Sequence, residues 1–247
     1  FFYREGHFDG DNAAQVNEIY EWRPGDGLVR WTNSQGDACV NATPALASDG
    51  GALAFASDCD LVGENPDGGT EIYVIADEEI TQMTVDAGTD GCESLSPSVA
   101  TRDGSKRVVF SGYCDPTGSN PDGSFEIFST VDGVTEQLTS GQSCWSVSPK
   151  VPASADVVVY VSSCNLDGLG DTGAPELYIE GLCVCGAPVS AANPTATDAL
   201  YALQAAIGTK DCRLCECDVN SDGRLAATDA LRILSRATGQ NVTLSCP

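Results

Sequence analysis

The sequence has very few lysines and almost no histidine. Lysine occurs only at Lys106, Lys150 and Lys210, and the single histidine is His7. Twelve Lys and Arg stand against 36 Asp and Glu, a formal charge of −24. Such a surface repels nucleic-acid phosphates and anionic membranes, which argues against both as partners. It suits divalent cations, salty media or a cationic partner, and it also serves plain solubility. No stretch approaches the ~20 apolar residues of a membrane helix. GxSxG, HExxH and P-loop motifs are all missing. A Ser-His-Asp device would have to rest on His7, near the start of the chain, where order is least expected. Acid–base pairs of Asp and Glu stay open in so acidic a chain. The chain begins at Phe1 without a leader pattern, which reads as a processed mature protein or a fragment.

What is abundant points to a turn-rich β protein. There are 26 Gly, and Asp outnumbers Glu, while 42% hydrophobic residues allow a packed core. Twelve Cys imply an oxidising compartment, hence a secreted or cell-surface protein.

Four segments share one phrase: NEIYEW at 17–22, TEIYVI at 70–75, FEIFST at 125–130 and PELYIE at 175–180. Acidic, Gly-rich loops precede them, and apolar runs such as GALAFASDCD and KRVVFSGYCD lie upstream. The runs read as buried strands, and Asp49-Gly50 and Asp103-Gly104 as turns. About four short strands in roughly fifty residues is the mark of a β-propeller blade. The expected fold is therefore mainly β, with blades of about four strands. The chain starts within a blade, supplying its EIY strand and the one after it, then two full blades and a partial one. Unpaired edges would be left, so either further blades exist or half-blades complete each other within or between chains.

The repeat resembles the TolB-like propeller. There a blade closes on "lT", continues through a "P…SPDG…aF.S" hairpin and enters an "eIY" strand. Thr84 and Thr139, PALASDGGALAFAS at 44–57 and PSVATRDGSKRVVFS at 97–111 carry the likeness. In the third copy, 149–162, the Asp-Gly turn is lost. The likeness runs over about residues 8–182, and the first domain is read as 1–182.

Cysteines follow the repeat. Cys39 and Cys59, Cys92 and Cys114, and Cys144 and Cys164 lie 20, 22 and 20 residues apart. One bridge per unit is the natural pairing, although spacing alone does not prove connectivity. Each such loop closure would stabilise by roughly 3 kcal/mol. Metal or catalytic roles for these six fit poorly, because neither CxxC nor His lies near them. The loops Asn65–Gly69 and Asn120–Ser124 read either as plain turns or as oxygen-rich calcium sites. The EIY glutamates are candidates to bond backbone between blades.

The second domain is read as 183–247. Two phrases, ATDALYALQAAIG at 196–208 and ATDALRILSRATG at 227–239, repeat as helices ending at Gly208 and Gly239. Leu200, Leu203 and Ile207 share one helical face, as do Leu231 and Leu234 with Ala230 and Ala237. Before the second helix stands DVNSDGRLAATD, 218–229. Asp218, Asn220 and Asp222 occupy positions 1, 3 and 5 of a twelve-residue calcium loop, with Gly223 at the turn. Arg224 would offer its carbonyl at position 7, water would serve at Ala226, and Asp229 closes the loop. The alternative is an Asx-rich turn before a capped helix.

This duplicated loop–helix, with Asp at position 12, resembles a type I dockerin. The resemblance implies calcium as cofactor and docking to a cohesin, with recognition at loop positions 10 and 11. Those are Ala196, Thr197, Ala227 and Thr228. The first loop, 187–198, departs from the family: Ala187, Val189 and Ala191 stand where ligands belong, so one calcium is expected. Six Cys surround this module, with fifteen possible pairings. CRLCEC is either disulfide-bonded or a zinc site. Asn41-Ala-Thr43 and Asn241-Val-Thr243 fit the glycosylation sequon.

The expected function is a non-catalytic extracellular structural or interaction protein, of which a surface or fibre subunit is one form. Its partners would be a cohesin-like domain or neighbouring copies of itself. The rival is an accessory part of a secreted carbohydrate-active enzyme or cohesin-docked complex.

Overall fold

A computed structural model describes residues 2–4, 16–34, 39–85, 92–102, 105–131, 133–155, 157–166, 173–181, 184–189, 193–210 and 212–246. The chain forms two compact units: Phe1–Thr101 with Lys106–Glu180, and Gly181–Pro247 with Arg102–Ser105.

The first unit is built of antiparallel sheets in chain order. The first holds β1 (Phe2–Arg4), β2 (Glu18–Arg23) and β3 (Gly27–Arg30). The second holds β4 (Asn41–Leu46), β5 (Leu53–Ser57), β6 (Glu71–Ala76) and β7 (Glu79–Gln82). The third holds β8 (Ser94–Arg102), β9 (Ser105–Gly112), β10 (Glu126–Val131) and β11 (Val134–Gln137). The fourth holds β12 (Ser146–Lys150), β13 (Val157–Ser162) and β14 (Glu176–Gly181). These are propeller-type blades, two of four strands between two of three. One expectation is corrected: the first sheet is not a bare strand pair, because β1 joins it with Phe2 opposite Tyr20. Three residues are too short to show any periodicity, so β1 was not legible.

Packing follows the pleat, which sends alternate side chains to opposite sheet faces. Ile19 of the first sheet meets Leu53, Phe55, Tyr73 and Ile75 on one face of the second. The other face of the second, through Ala54, Ala56, Ile72 and Val74, meets Val108, Phe110 and Phe128 of the third. The second, third and fourth sheets each carry a stacked ring pair: Phe55–Tyr73 at 5.6 Å, Phe110–Phe128 at 5.5 Å and Tyr160–Tyr178 at 5.8 Å. Burying each such side chain stabilises by about 1.5–3 kcal/mol. The fourth sheet ends the series with its apolar face uncovered. Leu177 is 68% and Ile179 71% exposed, whereas Ile19, Ile72 and Ile127 at the position of Leu177 are fully buried.

The opening strands share a bulge. Thr43, Ser96 and Ser148 each precede a proline and take positive φ of 50°, 54° and 57°. The register shifts there in β4 and β12. Proline has no N–H to give, so it sits where the ladder is already broken.

The repeated glutamate is explained by a second repeated contact. Glu18, Glu71 and Glu126 are buried at the start of their strands. Each accepts the hydroxyl of a threonine ending the neighbouring strand segment: Thr32, Thr84 and Thr139 respectively. The same threonine oxygens accept the next residue's N–H, from Ile19 and Ile72 at 2.9 Å and Ile127 at 2.8 Å. Glu18 also accepts the Ser34 amide at 2.7 Å, and Glu126 the Gly141 amide at 2.8 Å. Backbone beyond the hairpin is thereby tied to its first strand. The fourth copy differs: Glu176 is only half-buried and accepts the Tyr178 hydroxyl at 3.0 Å.

In the second unit, α1 (Ala196–Ala206) and α3 (Ala227–Ala237) pack together, with the short α2 (Leu214–Cys217) between them in sequence. Its core is Ala199, Ala202, Cys217, Val219, Ala230 and Ile233. Gly208 and Gly239 end the helices at φ of 74° and 81°.

The glutamate–threonine contact yields a prediction. Thr84→Val keeps the shape but leaves two buried groups, on Glu71 and Ile72, short of a partner. Urea unfolding should show a loss of about 2–4 kcal/mol. A loss below ~0.5 kcal/mol would mean that the contact does not hold the sheet together.

Candidate functional site

The loop 218–229 lies between α2 and α3. Positive φ at Ser221 (54°) and Gly223 (78°) turns its backbone inward. Asp218 is buried and accepts the Asp222 amide at 3.1 Å and the Gly223 amide at 2.7 Å. Asn220 Oδ1 accepts the Asp222 amide at 3.1 Å, and Asp222 Oδ1 accepts that of Arg224 at 3.0 Å. Asp229 Oδ2 accepts the Ala226 amide at 2.9 Å. Its other oxygen, Oδ1, is buried with no hydrogen-bond partner. Burial, with the charges of Asp218 and Asp222, pushes this carboxyl above its ordinary range. A buried carboxylate oxygen without a donor, beside two further carboxylates, suits a hard cation with oxygen ligands. The donor set therefore fits calcium.

The duplicate loop is closed by hydrogen bonds. Asp198, the counterpart of Asp229, accepts Val189 N–H on Oδ1 at 2.8 Å. Its Oδ2 accepts the Thr195 amide at 2.8 Å and the Thr195 hydroxyl at 2.6 Å. Both carboxylate oxygens thus have protein donors, and Ala187 and Val189 bring no side-chain oxygen. Backbone and threonine donors do there what a cation would do in the second loop.

Among the described residues, five disulfides are closed. Cys39–Cys59, Cys92–Cys114 and Cys144–Cys164 each tie the approach to a sheet's first strand to the end of its second. The sulfurs of Cys39 and Cys59 approach a carboxylate oxygen of Asp58, but no thiolate is left for a metal. In the second unit Cys185 joins Cys246 and Cys212 joins Cys217. Cys215 is disulfide-bonded too, so the CRLCEC cluster has no free thiol for zinc. Gly141 lies so close to the third bridge that an added Cβ would strike both its sulfurs.

The blade loops use most of their polar groups internally, although Asn65 Oδ1 is buried without a hydrogen-bond partner. Asn65 donates to the Gly69 carbonyl at 2.8 Å and Asn120 to that of Ser124 at 2.9 Å, while Asp60 and Asp115 accept the amides of Asn65 and Asn120. That is the behaviour of Asx-type turns. The sequons separate by burial: Asn41 is fully buried and bonded to Asn17, Ser34 and Ser57, whereas Asn241 is exposed. His7 and Cys183 lie outside the described residues, as do Asp103 and Gly104.

One polar cluster was not foreseen. Between the third and fourth sheets, the guanidinium of Arg107 is 1% exposed, 3.0 Å from Ser129 Oγ and 3.6 Å from Glu136. Glu180 accepts the Tyr160 hydroxyl at 3.1 Å. Burial pushes both Glu136 and Glu180 above the usual carboxylate range, and the Glu180 charge adds to the shift at Glu136. No local motif marks this group, because its members come from five strands.

The four positions expected to set docking, Ala196, Thr197, Ala227 and Thr228, are exposed at the starts of α1 and α3. The leucine faces of these helices are exposed rather than buried: Leu200 by 55% and Leu231 by 63%.

No family model matches the chain, and no curated protein does. Solved structures do. A putative TolB from Agrobacterium tumefaciens is 19% identical, with a TM-score of 0.41, over 69% of this chain and 60% of that one. An acylaminoacyl peptidase from Pyrococcus horikoshii is 16% identical, at 0.45, over 73% and 24%. A family 43 endo-arabinanase from Bacillus licheniformis is 15% identical, at 0.39, over 71% and 66%. The chain spans less than two thirds of the first two. No helix among the described residues is long and apolar enough to cross a membrane.

The buried carboxyls give a pH prediction. A carboxyl with a raised folded pKa binds more protons folded than unfolded. Its contribution therefore falls as pH rises from the ordinary value, ~4.3, through the folded one. Glu180→Gln should flatten this fall in unfolding free energy just above that value. An unchanged pH slope would show that Glu180 does not titrate in this way.

Proposed function

We propose that this chain is a non-catalytic extracellular structural or interaction protein. Its disulfide-tied, blade-type sheets serve as a rigid platform. Its C-terminal unit is a dockerin-like module holding one calcium ion and making contact with a cohesin-like domain or with neighbouring copies. The observation that carries this reading is the difference between the two loops. One closes on its own donors, while the other keeps a buried carboxylate oxygen without one. Asp218, Asn220, Asp222 and Asp229 would hold the ion through side chains, and Arg224 through its carbonyl. Calcium supplies fixed positive charge here, joining the loop to the first turn of α3.

Five disulfides support an oxidising, extracellular setting. The uncovered face of the fourth sheet and the exposed leucines of α1 and α3 support work by contact. A surface or fibre subunit is one form such a protein takes.

Titration calorimetry on chelator-treated protein should find one calcium per chain. Asp229→Asn should weaken binding at least about tenfold. Calcium at a hundred times its Kd should raise unfolding free energy by about 2.7 kcal/mol. If calcium leaves the thermal midpoint unmoved and releases no heat, the loop is only a turn.

A further inference from the structure

The exposed leucine face of the second unit repeats itself. Leu200 and Leu203 of α1 and Leu231 and Leu234 of α3 line an open groove with Ala199 and Ala230 at its base, and among the described residues no charged side chain lines it. The two halves match residue for residue at an offset of 31. The core of the unit is made by other positions, chiefly Ala202, Cys217, Val219 and Ile233, so the leucines are not required to hold α1 and α3 together. All four are at least 40% exposed. Isolated exposed leucines are ordinary, but four on one groove form a contiguous apolar patch.

Charge narrows the choice of occupant. Residues 183–247 hold five Lys and Arg against six Asp and Glu, a formal charge of −1 out of the chain's −24. The remaining −23 lies in residues 1–182. Two copies approaching through their sheets meet strong repulsion, whereas two C-terminal units meet almost none. A groove whose halves carry the same residues in the same order also offers a second copy matching leucine and alanine rows. An isologous contact sets the same patch of both copies face to face.

We propose that this groove joins two copies of the chain, C-terminal unit to C-terminal unit, about a two-fold axis. The α1–α3 pair of each copy then forms one layer of a four-helix arrangement with the leucines enclosed. The contact is closed, so it produces dimers and not filaments. This rests on reading the second unit as a docking module and names its partner.

Sedimentation velocity on the full chain, in calcium and ~0.15 M salt so that charge is screened beyond about 8 Å, tests it. The expected result is a monomer–dimer equilibrium. Leu200→Ser with Leu231→Ser should raise the dimer Kd at least about tenfold, with far-UV circular dichroism unchanged, and with the thermal midpoint unchanged at concentrations where both proteins are monomeric, because both side chains are exposed. Leu177→Ser with Ile179→Ser, on the fourth sheet, should leave Kd as it was. A monomer at every concentration overturns the proposal. So does a dimer insensitive to the α1/α3 changes, or an assembly dissolved by the Leu177/Ile179 changes instead. A chain that stays monomeric yet pairs one-to-one with a cohesin domain through this groove overturns it too. Calcium titration on the same protein separates the two readings. Calcium bound without dimers sinks only this contact, and dimers without calcium sink only the calcium loop.

Discussion

A buried carboxyl bonded to a threonine hydroxyl underlies the first unit. In the first three sheets the glutamate begins a strand, and the threonine stands where the chain leaves the hairpin built on it. The threonine oxygen both accepts from the residue after the glutamate and donates to the carboxyl. One residue thus ends the pairing of a hairpin and fixes the exit of the chain toward the next sheet. The position of each sheet against its neighbour follows, and with it the burial of Ile19, Ile72 and Ile127. A buried hydrogen bond contributes little net stability, but leaving its groups unpaired is costly, so the contact acts mainly as a constraint on geometry. The fourth sheet shows the counter-case. Its glutamate lacks the threonine, and its outward leucine and isoleucine remain exposed.

The second unit applies the same requirement twice with opposite results. Every buried carboxylate oxygen needs a donor or a cation. Asp198 finds its donors in Thr195 and the Val189 amide. Asp229 has the Ala226 amide on one oxygen and none on the other. Of two loops with the same ATDAL phrase, one is thus closed by its own donors and the other is not. The disulfides Cys185–Cys246 and Cys212–Cys217 tie the segments that enter and leave these loops.

Much of this was legible from residue order. The EIY phrase located β2, β6, β10 and β14, and the apolar runs located β5, β9 and β13. The phrase ATDAL located both helices. Some of what escaped had no local signature. β1 is too brief to display a period. The constant gap of 13 residues from Glu71 to Thr84, and from Glu126 to Thr139, was a readable signal of the buried contact that went unused. The cluster of Arg107, Glu136, Tyr160 and Glu180 could not be anticipated, because its members share no spacing.

By itself, then, the sequence determined the blade-type repeat, the cysteine pairs that follow it and the asymmetry between the two loops. Those properties lie in periodicity, cysteine spacing and side-chain chemistry, all of which survive in a linear string. Only the tertiary structure decided which carboxylate oxygen lacks a donor, which sheet face is uncovered, and that the leucines of α1 and α3 face outward while alanines make the core. These depend on which atoms from distant parts of the chain come to share a volume. Burial and hydrogen-bond satisfaction belong to that volume and to no single stretch of residues.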